Sequence, residues 1–244
     1  MTTLFISDLH LDESQPHITQ LFVEFVRHEA AHAQALYVLG DLFEAWIGDD
    51  AGDATADRVA KALAGLHAAG VPCFFIHGNR DFLLGDAYAR RAGTTLLPDP
   101  SVVEIDGERV LLMHGDTLCT DDPRYQAFRA ESHAPDWQRR FLARPRAERE
   151  AFAQQARAES RRYTRSVADA ITDVNAAAVR DAMRRHDVRR LIHGHTHRPA
   201  VHRFELDGRP AERIVLGDWY EQGSVVRAEN GTFEAVALSF GGQS

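Results

Sequence analysis

At 244 residues the chain exceeds a usual single domain but stays within the reach of one α/β domain carrying an insertion. With 44% hydrophobic and 26% charged residues it has a soluble globular profile, and no apolar run approaches the roughly 20 residues that span a bilayer. The net charge of −8 argues against a general nucleic-acid binder, but residues 124–190 hold 16 Arg against 9 acidic residues.

The opening Thr3-Leu4-Phe5-Ile6 runs straight into polar Ser7-Asp8-Leu9-His10, which predicts a short buried strand and no secretory signal, hence a cytosolic protein. Ile18, Leu21, Phe22, Phe25 and Val26 recur at helical spacing and predict an amphipathic helix. Residues 35–39 read as a second strand. A helix through Val59, Leu63 and Leu66 stops at Gly70, and residues 72–77 give a third strand. This rhythm of strand and helix implies a parallel sheet with helices packed on it. Cys73 and Cys119 stand apart without metal-type spacing and read as reduced thiols.

Beyond residue 100 the pattern changes to hairpins. Asp106-Gly107 lies between strands at 102–105 and 110–113, Asp207-Gly208 between 201–204 and 214–216, and Asn230-Gly231 falls near the C-terminus. Between these halves, residues 123–185 are rich in Ala, Arg and Glu and read as a helical insertion, leaving 1–122 and 186–244 as the core. The Arg excess of the insertion suits a phosphorylated ligand or an anionic membrane surface, although Arg-Glu pairs on a solvated helix face explain most such runs.

Five polar motifs each follow an apolar strand: Ser7-Asp8-Leu9-His10, Gly40-Asp41, Gly78-Asn79-Arg80-Asp81, His114-Gly115-Asp116 and Gly194-His195-Thr196-His197. Ligands of α/β sheets bind beyond the carboxyl ends of the strands, so the fold would bring these motifs together. Imidazole, carboxylate and amide oxygen without thiolate suit Mn, Fe or Zn and argue against calcium. In Asp8-x-His10 and His195-x-His197, side chains two apart on an extended segment would face one metal region. Two cations ~3.5–4 Å apart can share a carboxylate and activate a water for phosphate-ester hydrolysis, with Asp41 the natural bridge. Taken singly, each residue has a plainer role, such as a helix cap for Asp8 or Asp41, a packed histidine for His114 or a turn for Asn79. His77 also lies at a strand end, and its role is left open by the spacing.

In this order the motifs resemble the calcineurin-like metallophosphoesterases. One departure is informative: where the broad superfamily usually carries a His after Gly-Asn, to help protonate the leaving group, this chain has Arg80. That change, together with Gly40-Asp41-Leu42-Phe43-Glu44-Ala45-Trp46, His193-Gly194-His195-Thr196-His197-Arg198-Pro199 and Leu216-Gly217-Asp218-Trp219, is similar to the UDP-2,3-diacylglucosamine diphosphatase family. The resemblance implies an αββα fold, two packed mixed β-sheets flanked by helices, with the insertion as a cap over the site. It implies two Mn²⁺ ions, one held by Asp8, His10, Asp41 and His197, the other by Asp41, Asn79, His114 and His195. Asp41, Asn79, Arg80, His114 and His195 would be the catalytic set, and Asn79, Arg80, Asp122, Ser160, Thr164 and His195 would contact substrate. Val167 replaces a Lys common in relatives, so that contact is not carried over.

The implied reaction is hydrolysis of the pyrophosphate of UDP-2,3-diacylglucosamine to UMP and 2,3-diacylglucosamine 1-phosphate (lipid X), a step of lipid A synthesis. A metal-bridging hydroxide would attack the uridine-side phosphorus. The enzyme would be peripheral on the cytoplasmic side of the inner membrane, with no nucleic acid and no obligate protein partner. Tyr125, Phe128, Trp137, Phe141 and Phe152 would offer apolar surface to acyl chains or pack the cap onto the sheet, and Arg157 and Arg161 would lie near the substrate. A phosphoesterase of other specificity and a non-catalytic scaffold are the rival readings. Arg80 and the aromatic insertion weigh against the first, and the full set of seven ligands against the second.

Overall fold

The computed structural model describes residues 2–164 and 171–238. Its central strands are apolar on both faces, and each face serves a different core. In β1 (Thr3–Ile6), Leu4 and Ile6 join one hydrophobic cluster and Phe5 another. In β2 (Ala35–Leu39), Leu36 and Val38 point one way, and Ala35, Tyr37 and Leu39 the other. Period-two alternation with no polar face marks strands sandwiched between two layers. The outer layer here is α1 (Pro16–His28), α2 (Ala54–Ala68) and α3 (Asp86–Ala92). The inner layer is a second sheet. There β6 (Glu108–Met113) sends Val110 and Leu112 inward, and Leu111 and Met113 outward to α7 (Ala176–Arg185).

The first sheet has six strands in the order β11-β10-β1-β2-β3-β4, adding β3 (Cys73–Ile76), β4 (Thr94–Leu97), β10 (Gly223–Glu229) and β11 (Thr232–Leu238). The second has five, β5-β6-β7-β9-β8, with β5 (Ser101–Ile105), β7 (Arg190–His193), β8 (Ala200–Leu206) and β9 (Arg209–Val215). β1 to β4 run parallel, as do β6, β7 and β9, while hairpin partners add antiparallel edges, so both sheets are mixed. The layer order helices, sheet, sheet, helix is the αββα arrangement the resemblance implies.

Two elements have no counterpart in the sequence reading. β4 is four residues long and half exposed, and α3 is two turns, so neither carries enough apolar periodicity to register. The insertion also divides. α4 (Pro123–Ser132), α5 (Pro135–Leu142) and α6 (Arg146–Thr164) wall a cavity beside the strand ends, whereas Val179, Ala182 and Met183 of α7 pack against the second sheet. α6 is tied down near its start by Arg149, only 2% exposed, which donates to the Ile47 carbonyl at 2.5 Å and to both carboxylate oxygens of Asp50.

Candidate metal centre

The five motifs leave the ends of β1, β2 and β3 in one sheet and of β6 and β7 in the other, so they meet along one edge of the sandwich. The extended geometry expected for Asp8-x-His10 and His195-x-His197 is not what brings their side chains together. Asp8 (φ 56°), His10 (φ 49°), Asp41 (φ 52°), His195 (φ 69°) and His197 (φ 54°) all adopt left-handed backbone. The chain coils tightly off the ends of β1, β2 and β7, and it is this coiling that turns these side chains inward. Such conformations strain non-glycine residues, and their concentration at one point marks a site where geometry is held against local preference.

Glycines make the close approach possible. A Cβ on Gly78 would lie 2.2 Å from Asp41 Oδ1 and 2.3 Å from the Asp41 backbone nitrogen, and one on Gly194 would lie 2.2 Å from Asp8 Oδ2. Gly78→Ala is expected to cost on the order of 3 kcal/mol, because backbone must move to admit the methyl group. A thermal melt with an unchanged midpoint would contradict that close contact.

All seven expected ligands converge. His10 Nε2 and His197 Nε2 face each other at 3.2 Å, with Asp8 Oδ1 3.4 Å from His197 Nε2. Asp41 lies between the two halves, Oδ2 3.9 Å from His10 Nε2 and Oδ1 3.8 Å from His114 Nε2. Asn79 Oδ1 sits 2.9 Å from His114 Nε2 and 2.8 Å from His195 Nδ1. Among the described residues, Asp8, His10 and His197 form one group able to hold an ion, and Asp8, Asp41 and His114 another. The second group includes Asp8, which the resemblance assigned to the other metal. Asn79 and His195 flank it through the Asn79 amide oxygen.

Surrounding groups fix these side chains. His114 Nδ1 donates to the Leu39 carbonyl at 2.9 Å, which aims Nε2 at the cluster. Asp8 Oδ2 accepts from Ser7 Oγ at 2.6 Å and the His195 amide at 2.9 Å. His197 Nδ1 has Asp218 Oδ2 at 3.4 Å, and the buried Trp219 holds that loop by donating its amide to the Asp8 carbonyl. Asp81, fully buried, accepts from the amides of Leu42 and Gly78, both at 2.8 Å, and so locks the β2 and β3 ends together. Sequence reasoning passed over Asp81 and Asp218; each lies in a quoted motif, but only the fold shows what it holds.

The electrostatics favour a cation. Burial opposes ionisation of Asp8, yet its contact with His197 and the fields of His197, His114 and His10 hold the carboxyl well below the usual range. Burial also opposes protonation of His114, but Asp41, Asp8 and Asp116 outweigh it and lift its pKa to about 9. Asp8 Oδ1 is buried with no aligned hydrogen bond, His197 Nε2 standing 3.4 Å away, so its lone pairs are under-satisfied until a cation meets them. Oxygen and imidazole donors around that atom fit divalent metal ions.

The cluster forms one end of a cavity of about 610 Å³. Asn79, Arg80, Asp122, Ser160 and His195 line it, as do Phe128, Trp137, Phe141 and Phe152. Arg80 Nε is buried there without a partner. Asp122 caps α4 through the Tyr125 amide at 2.9 Å and accepts from Tyr163 Oη at 3.1 Å, so its carboxylate also holds the cap. Phe141, 2% exposed, packs with Trp137 and Phe152, while Phe128 is 42% exposed. Tyr125 donates to Asp116 at 2.6 Å. Thr164 ends α6, and its side chain, like Val167, lies outside the described residues. His77 points from the cluster to a turn, its Nε2 bonded to the Leu84 carbonyl at 2.6 Å.

Residues 1–199 match the family described as calcineurin-like phosphoesterase. A UDP-2,3-diacylglucosamine hydrolase of Xanthomonas axonopodis pv. citri (strain 306) is 55% identical over 247 residues, covering 98% of this chain and 100% of the relative. One from Stenotrophomonas maltophilia (strain R551-3) is 57% identical over 246 residues, covering 98% and 99%. The structure of an archaeal phosphodiesterase is similar at a TM-score of 0.50 and 12% identity over 98% of this chain and 100% of that one, a likeness of fold alone. By motif, fold and full-length identity together, the chain belongs to the calcineurin-like phosphoesterase family.

Proposed function

We propose that the chain hydrolyses the pyrophosphate of UDP-2,3-diacylglucosamine to UMP and 2,3-diacylglucosamine 1-phosphate, a step of lipid A synthesis, with Mn²⁺ as its cofactor. The observation that carries this reading is the union of an apolar, aromatic cavity with a cluster of metal-type donors at its end, bridged by Arg80 with its unpartnered Nε. A diacyl sugar needs the first and a phosphorus anhydride needs the second. The identity to hydrolases named for this substrate supports it. No described helix is long and apolar enough to cross a membrane, which is compatible with docking on the cytoplasmic face of the inner membrane to meet a lipid-linked substrate.

In this reading Asp8, His10, Asp41 and His197 hold one metal, and Asp41, Asn79, His114 and His195 the other, with α4 to α6 closing the site as a cap. When bound, the two metals lower the pKa of a water and neutralise phosphoryl charge. The protein does the rest. His114 keeps its proton on Nδ1 through the Leu39 carbonyl, which orients Nε2. Arg80 holds a substrate phosphate by its planar fork and absorbs charge as the uridine-side phosphorus is attacked. The cap aromatics exclude water around the acyl chains, and Asp122, Ser160 and Thr164 contact the substrate. Asn79 and His195 line the same wall as Arg80 and complete the catalytic set.

Chelation of the purified protein is expected to abolish turnover, and Mn²⁺ to restore it. Hydrolysis in ¹⁸O-labelled water should then place the label in UMP. Label in the lipid phosphate would overturn attack at the uridine side, and absence of turnover with Mn²⁺ would overturn the substrate assignment.

A further inference from the structure

The segments that carry His10 and Glu44 are pinned side by side. The Leu11 amide donates to the Leu42 carbonyl at 2.9 Å, and the Glu44 amide returns to the Leu11 carbonyl at 3.1 Å. Glu44 therefore projects from a fixed point into the cavity, its side chain 18% exposed. One carboxylate oxygen, Oε2, lies 3.1 Å from His10 Nδ1, a buried nitrogen with no aligned hydrogen bond of its own. The other, Oε1, faces the cap, 3.9 Å from Arg157 Nη1 and 3.8 Å from Arg161 Nη1.

An acid in this place calls for a reason. The same wall presents Arg80, Arg157 and Arg161, which attract a diphosphate, and a carboxylate among them repels it. A carboxylate beside Nδ1 places the imidazole proton there and turns the Nε2 lone pair toward Asp8, Asp41 and His197. Histidine ligands are oriented this way throughout metalloprotein chemistry.

We propose that Glu44 is a positioning residue that orients the ligand His10 with one carboxylate oxygen and stations the cap arginines Arg157 and Arg161 at the metal centre with the other. The second half rests on the function proposed above; the first needs only that the cluster binds metal. The long Arg157 and Arg161 contacts are loose enough to be exchanged for substrate phosphate, and Glu44 stations these guanidiniums before the substrate arrives.

Glu44→Gln and Glu44→Ala separate the two duties. The amide oxygen of Gln still accepts from His10 Nδ1–H but offers no charge to the arginines, whereas Ala offers neither. Metal-stripped protein would be titrated with Mn²⁺, with free ion followed by electron paramagnetic resonance, and KM measured on UDP-2,3-diacylglucosamine. Glu44→Ala is expected to weaken Mn²⁺ binding by about 10–100-fold. Glu44→Gln is expected to bind Mn²⁺ nearly as the parent does, with KM raised several-fold and kcat retained. Glu44→Ala with parental Mn²⁺ affinity would overturn the His10 role, and Glu44→Gln with parental KM the arginine role. The Mn²⁺ titration uses no substrate, so a protein that binds Mn²⁺ as expected but fails to hydrolyse this lipid would sink the proposed function and leave the His10 role standing. The near-isosteric Gln variant guards against a folding defect, which a thermal melt of both variants checks.

Discussion

Asp41→Ala is expected to bring hydrolysis of UDP-2,3-diacylglucosamine to background, a larger loss than the roughly 10²–10³-fold that a single electrostatic donor supplies. The reason is position. Asp41 is 2% exposed and stands between His10 Nε2 at 3.9 Å and His114 Nε2 at 3.8 Å, so its loss weakens both halves of the cluster at once. Its Oδ1 also accepts from the Arg80 amide at 2.8 Å, which orders the segment that carries the Arg80 guanidinium. Asp41→Asn separates these roles, because the amide oxygen can keep the Arg80 bond while the bridging charge is gone. Both variants should lose turnover, with Asn keeping a melting temperature nearer the parent's than Ala does. Near-normal kcat/KM in either would refute a bridging role for Asp41.

Much of this was legible because the chemistry is local. Asp106-Gly107, Asp207-Gly208 and Asn230-Gly231 each supply two consecutive residues with positive φ, as their hairpin turns demand, and each sits between paired strands. Leu36-Tyr37-Val38-Leu39 reads as buried from composition alone. What stayed hidden is what two distant segments do to each other. Nothing in the sequence says that the Glu44 carboxylate meets His10, or that Asp81 receives the amides that hold the β2 and β3 ends in register. The left-handed backbone at five of the seven expected ligand positions was also unreadable, since Asp and His favour it too weakly to place it and tertiary contacts impose it. α7 illustrates the same limit. Its Ala- and Arg-rich composition matches the cap helices, and only its partners Leu111 and Leu191 show that it completes the outer layer of the second sheet.

Arg80→Ala is expected to lower kcat/KM by about 10²–10³-fold, the cost of removing one preorganised donor aimed at developing phosphoryl charge. Its backbone is fixed from both sides, the amide donating to Asp41 Oδ1 and the carbonyl accepting from the Trp46 amide at 2.9 Å. The guanidinium is therefore aimed by the main chain while its Nε stays buried and unpartnered, a donor held ready for a ligand. A guanidinium in this place cannot protonate a leaving group, since it does not give up its proton near neutral pH. The leaving group here is itself a phosphate, which departs without an acid, so replacing the superfamily's imidazole by a charge-stabilising fork suits an anhydride and ill suits a simple alkyl ester. Two measurements test the argument together. Arg80→Lys keeps the charge without the planar fork and should fall between the parent and Ala. Arg80→His should not recover the anhydride reaction, though it restores an acid. Recovery of parental turnover by His would mean that proton donation, and not phosphate recognition, is what this position contributes.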